Sequence, residues 1–205
     1  MNRVKSKINF SDQRMMLICI IAVISIIVGI INPNFFAVKT LSSILQQISV
    51  TGILTMGMAF LMISGGVDLS MGTLMALCGV VMSKTIVDTD NVLLALLLGM
   101  ITGVLGGLLN GIIVSKSKCV PLVITLGTSN IFLGISLIIS LGQFMKFNNK
   151  FDFLAKKIFN LFPISLIVLF LVVLIIYILL NYTVLGRRMV AIGGNEENAY
   201  LSGLV

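Results

Sequence analysis

The stretch 56–77, M-G-M-A-F-L-M-I-S-G-G-V-D-L-S-M-G-T-L-M-A-L, decides how this chain is read. Apolar residues flank S-G-G-V-D-L-S on both sides, and Asp68 is the only charge between Lys39 and Lys84. Two glycines and an acid inside an apolar run are helix-breaking punctuation. Gly65 or Gly66 can take the left-handed conformation that ends a helix. Asp68 or Ser70 can then accept hydrogen bonds from the free N–H groups of the next helix, where the dipole favours a negative charge. The stretch is thus expected to be a bend between two helices, with its break at 63–70.

The composition says which solvent those helices meet. The chain is 58% hydrophobic and 10% charged, against about 25% charged in a soluble domain. So few charges cannot cover a globule of 22.1 kDa, and lipid is the expected surroundings. The chain has no His, which excludes Ser-His and Cys-His nucleophile pairs, His metal ligands and a phosphohistidine relay. Cys19, Cys78 and Cys119 stand far apart with no C-x-x-C, and are read as small packing residues. No metal site or cofactor is expected. The formal charge of +7 comes from basic residues in the gaps between apolar runs. That pattern orients membrane proteins and does not indicate a nucleic-acid partner.

A membrane helix needs about 20 apolar residues, with a range of about 17–25. The candidates are 15–31, 41–63, 70–83, 92–114, 120–140 and 163–181, so an all-α polytopic membrane helix bundle of about six segments is expected. The basic lead Arg3, Lys5, Lys7 and Arg14 is followed by an apolar run with no A-x-A-like cleavage site, which reads as an uncleaved first helix with a cytoplasmic N-terminus. N-P-N at 32–34 stops that helix, D-T-D-N at 88–91 is an acidic turn that can cap the fourth, and Pro163 starts the sixth. Lys116, Lys118, Arg187 and Arg188 then lie inside only if 40–83 crosses twice, as a hairpin bent at Gly65-Gly66. The chain thus divides into a cytoplasmic N-terminus (1–14), a membrane domain (15–181) and a cytoplasmic segment (182–205). The third run is short, about 14 residues, which sets the break within the membrane's depth or leaves the arm reaching only part of the way.

Three further patterns carry information. Phe144, Phe147, Phe151, Leu154, Ile158 and Phe162 recur every three or four residues, the stripe of an amphipathic helix over 144–160 lying on the outer surface. It reads as an interfacial anchor or as part of an outer docking surface. Lys146, Lys150, Lys156 and Lys157 are anomalous on that side. In the fourth helix Gly99, Gly103, Gly107 and Gly111 repeat G-x-x-x-G, which reads either as a close helix contact or as scatter in a glycine-rich chain. Asn110 beside them is a polar amide needing a partner in lipid. Finally, S-G-G at 64–66 is like the L-S-G-G-Q signature of transport ATPases, but no G-x-x-x-x-G-K-[ST] phosphate loop exists in the chain.

Four blocks carry a family resemblance. Residues 56–77 resemble the broken second-helix region of ribose-type ABC transporter permeases. G-G-L-L-N-G-I-I-V-S-K at 106–116 is similar to their fourth-helix segment, and P-L-V-I-T-L-G-T-S-N-I-F-L-G-I-S-L at 121–137 to the next stretch of those permeases. T-V-L-G-R-R-M-V-A-I-G-G-N-E-E-N-A-Y-L-S-G at 183–203 resembles their cytoplasmic coupling segment. The resemblance implies a bacterial cell-membrane subunit that imports ribose or a related sugar by alternating access. The implied partners are a separate ABC ATPase subunit, a second permease copy and an extracellular solute-binding protein. The permease itself would be no enzyme.

In the last block Gly186, Arg187 and Arg188 would come directly after the sixth helix. Gly193, Gly194 and Asn195 would form a turn, and Glu196 would open a short helix capped by Asn195. The resemblance makes these the ATPase-coupling residues. Gly65, Gly66, Asp68 and Ser70 are the transport-path candidates, either as a helix cap alone or as a moving part. Members of that family continue for several more helices, so the chain is expected to be a truncated or split permease. A non-functional fragment, a passive channel and a membrane scaffold are the alternatives. A membrane enzyme is poorly supported, because no paired intramembrane carboxylates exist for acid–base work.

Overall fold

The computed structural model describes residues 13–117, 119–147, 150–151, 156–158, 161–195, 199 and 201–203. Its helices are α1 (Gln13–Ile31), α2 (Val38–Ile63), α3 (Met71–Thr89), α4 (Val92–Lys116), α5 (Pro121–Ser140), α6 (Ile164–Tyr182) and α7 (Val184–Gly194). A 3-10 turn, Pro33–Phe36, comes after α1, and Asn32 caps it by accepting from the Asn34 N–H at 3.0 Å. A two-residue hairpin pairs β1 (Lys157–Ile158) with β2 (Phe162–Pro163).

Helices α2 to α6 are long and apolar enough to cross a membrane, and α1 adds the shorter apolar run Met15–Ile31. The burial pattern is inverted relative to a soluble protein. Ile21, Met100, Val104, Ile138 and Phe170 are all more than half exposed, while Ser49, Ser70, Ser83, Asn110, Thr125 and Ser136 are buried. Small polar residues let helices approach closely in lipid, where apolar faces gain nothing by turning inward. Several satisfy themselves on their own helix: Ser49 donates to the Leu45 carbonyl and Ser136 to the Phe132 carbonyl, each at 2.8 Å. The chain is therefore a polytopic helical membrane bundle.

Two groups of helices pack separately. α2 lies along α6 and touches α7, while α3 packs along α4 and α5. α2 and α3 meet only sparsely, so the expected hairpin is open.

Two expectations need correction. The second arm is not short, for α3 runs 19 residues, to Thr89. Lys84 ends the apolar run in the sequence, but it pairs with Asp88 one turn on at 2.9 Å, so the helix continues past it. At about 1.5 Å per residue this is roughly 28 Å, enough for a full crossing. No short arm therefore sets the break within the membrane. Nor is 144–160 a continuous helix. Residues 144–147 are irregular, 150–151 form a turn and 157–158 a strand; 148–149, 152–155 and 159–160 lie outside the described residues. Tertiary bonds override the local periodicity there. Ser83 donates to the Lys146 carbonyl at 2.8 Å, and Lys150 pairs with Asp90 at 2.9 Å. The second bond gives one anomalous lysine an acidic neighbour at its own end of the bundle. The basic lead 1–12 lies outside the described residues.

Candidate functional site at the helix break

Helix α2 ends where the sequence places the break. Gly65 has φ +85°, and the Gly66 N–H donates to the Leu61 carbonyl at 3.2 Å while the Gly65 N–H donates to Met62 at 3.0 Å. This pair of bonds closes a helix C-terminus around a left-handed residue. The chain then runs through Val67 to Asp68, whose Oδ1 accepts from the Ser70 N–H and the Ser70 hydroxyl, both at 2.7 Å.

Asp68 does not cap α3 as expected. The N–H it binds belongs to Ser70, which sits at the N-cap and makes no side-chain cap bond. The first helical bond runs from the Leu74 N–H to the Ser70 carbonyl at 2.8 Å. The carboxylate instead gathers donors from across the bundle. Asn110 Nδ2 of α4 donates to Asp68 Oδ2 at 3.2 Å and to Ser70 Oγ at 2.6 Å. From α5, Thr125 Oγ1 accepts from the Leu69 N–H at 3.2 Å, and Ser129 bonds Thr73 at 3.1 Å. The start of α3 is thus tied to two neighbouring helices through one polar knot. Sequence reasoning joins Asp68 with Ser70 but places Asn110 only as a helix-packing residue. It misses Thr125 and Ser129, although their spacing of four marks a polar stripe on an otherwise apolar helix.

Asp68 stands between two spaces. A cavity of about 140 Å³ is lined by Leu61, Gly66, Asn110, Gly107, Gly111 and Thr125 besides Asp68. An open groove of about 250 Å³ between α2 and α3 is lined by Leu54, Thr55, Met58 and Gly72 on its other side. A carboxylate offers about four acceptor positions, and the knot occupies three of them. Among the described residues, no three of His, Cys, Asp or Glu gather as a metal site would require.

Three glycines of α4 lie against α3, in a register other than the repeat of four. A Cβ on Gly99 would crowd Met82, one on Gly103 would lie 3.4 Å from Cys78 Sγ, and one on Gly106 would crowd Leu74. The α3–α4 seam therefore runs Gly99, Gly103, Gly106 and Asn110, opposite Met82, Cys78, Leu74 and Ser70. Gly107 and Gly111 are off it, facing open space and lining the smaller cavity. Alternating steps of four and three follow one face of a 3.6-residue helix better than repeated fours.

The last block forms α7, separated from α6 by the extended residue Thr183. Thr183 accepts from the Gly186 N–H at 3.1 Å as its cap. Gly186 is buried against the Leu179 and Leu180 carbonyls, where a Cβ has no room. Arg187 and Arg188 are exposed. Gly193 and Gly194 do not form the expected turn but belong to the last turn of α7, with Asn195 as its C-cap. The Ala199 N–H donates to the Asn195 carbonyl at 3.0 Å. Glu196 lies outside the described residues. Gly193 meets the end of α2: a Cβ there would collide with the Ile63 carbonyl and lie 3.2 Å from the Gly65 N. The break and α7 are therefore neighbours.

Lipid-facing helices, a broken segment and an amphipathic helix packed beside the break define a polytopic helical membrane protein. Residues 40–204 match the family model described as the permease component of branched-chain amino acid transport systems, and the chain belongs to that family. It is 35% identical over 185 residues to the ribose import permease protein of Bacillus subtilis, covering 89% of this chain and 58% of that protein. It is 37% identical over 205 residues to the L-arabinose transport system permease protein of Escherichia coli K12, covering 98% and 62%. With the D-allose transport system permease protein of the same strain, identity is 35% over 190 residues, covering 90% and 58%. The chain thus spans about three fifths of the length of these curated relatives. No solved structure matches it significantly.

Proposed function

We propose that the chain is the membrane-spanning subunit of an ATP-driven importer for ribose or a related small sugar. The observation that carries this reading is the continuity of the match, which includes both the break at 63–70 and α7, with relatives named for ribose, arabinose and allose transport. The subunit hydrolyses nothing itself. A separate ATPase engages α7, where Arg187 and Arg188 are exposed, and a second permease copy completes the path. The chain sits in the cell membrane with its N-terminus in the cytoplasm. The end carrying Lys116, Arg187 and Arg188 then faces the cytoplasm. The opposite end, with Asp88, Asp90 and the 142–163 loop, faces an extracellular binding protein.

The groove beside Asp68 suits hydroxylated solutes: one acceptor position remains on a carboxylate flanked by the apolar walls of Leu54 and Met58. Uptake of labelled ribose, arabinose and allose into vesicles holding the chain, an ATPase partner and a binding protein tests the reading. Uptake of one sugar that requires ATP is expected. Solute leak that ignores ATP would make the chain a passive channel, and assembly without transport of any sugar would make it a scaffold.

A further inference from the structure

At the end of the bundle that holds the break, the two helix groups are joined by very little. α2 belongs with α6 and α7, and α3 belongs with α4 and α5. The chain passes between them twice, at opposite ends of the bundle: through 141–163, from α5 to α6, and through Ser64–Val67, alongside the open groove of about 250 Å³ that keeps α2 and α3 apart. Each side of this passage is anchored to a different group. On the α3 side, Asp68, Leu69 and Ser70 are bonded to Asn110 and Thr125. On the α2 side, Ser64, Gly65 and Gly66 fold back on Leu61 and Met62, and Gly193 of α7 rests on the Ile63 carbonyl and Gly65. Gly65 holds φ +85°, which a side chain would strain. A short segment with firm anchors on both sides and two spaces beside it is where rotation costs least.

We infer that 64–67 is a hinge between the two helix groups, and that Gly193 is the positioning residue through which α7 sets its angle. Gly193 can do this because it has no side chain. The obstacle to a Cβ is backbone, the last carbonyl of α2, which cannot rotate aside as a side-chain tip would. Gly194, next to it, faces open space. A push on α7 would thus reach the hinge directly at Gly65, and α3 with its polar knot would swing against α2. The inference deepens the reading of α7 as the ATPase-coupling segment, and its place in transport rests on that reading. The contact itself does not.

Hydrogen exchange on the full chain in lipid nanodiscs tests it without any partner. In Gly193→Ala, exchange across 61–67 should quicken about tenfold, as the usual cost of overpacking shifts a local opening equilibrium. Exchange across 95–110 of α4 should not change, and Gly194→Ala should alter neither segment. Equal rates at 61–67 in the two variants would overturn the role of Gly193. Quickening of 95–110 together with 61–67 would overturn the hinge, because the groups would then move as one body. If Gly193→Ala does not fold, the wild-type chain still decides: 61–67 and 190–194 should exchange at matched rates, and free exchange of 190–194 over a protected 61–67 would refute the link. Failure of ATPase engagement would leave these outcomes untouched, so the two readings fail separately.

Discussion

Asp68 is held by neutral donors, and this changes what its substitution should do. A helix cap tolerates Asn, but here both carboxylate oxygens accept, Oδ1 from Ser70 and Oδ2 from Asn110. Asp68→Asn turns an NH₂ group toward one of those donors, and re-pairing requires Asn110 to turn its unpartnered Oδ1 inward, so the knot should lose about 1 kcal/mol. Uptake should fall further than membrane insertion. Exchanging the pair, Asp68→Asn with Asn110→Asp, restores one acceptor facing one amide and should recover part of the stability. A thermal-unfolding cycle in detergent measures this coupling, and strictly additive losses would mean that the two side chains act independently. The sequence shows that Asp68 is unusual and that Asn110 needs a partner. It does not show that each is the other's partner, because 42 residues separate them and only the docking of α4 on α3 brings them together.

At the scale of elements, the α3–α4 seam depends on which glycines face it. Neighbouring positions should answer oppositely. Gly106→Leu drives a side chain into Leu74 and should destabilise by about 1–3 kcal/mol. Gly107→Ala adds a methyl toward open space and should gain up to about 1 kcal/mol from helix propensity alone. Differences in unfolding midpoint check both, and equal effects would contradict the register. The helix itself is plain in the sequence, as is close packing along it. Its rotation is not, since G-G at 106–107 fits either row and the choice belongs to the side chains of α3. Element ends misread for a similar reason. Lys84 resembles a membrane boundary until Asp88 is seen to neutralise it. The aromatic stripe at 144–162 has a helix's spacing, yet Ser83 holds the Lys146 carbonyl in irregular backbone and 157–158 is strand.

At the scale of the whole molecule, the long apolar helices and the division of 40–83 into two of them are legible, because lipid demands length and hydropathy from every spanning helix. The separation into two helix groups is not, because exposed apolar faces look alike whether they meet lipid or another helix. The proposed function depends on α7 being the part that an ATPase grips. Co-purification of a tagged ATPase partner with the chain, compared with a chain lacking 186–203, measures that most directly. Recovery of the ATPase with the intact chain, weakened by Gly186→Ala or Arg187→Ala and lost on the deletion, is the expected result. Undiminished recovery after the deletion would contradict it.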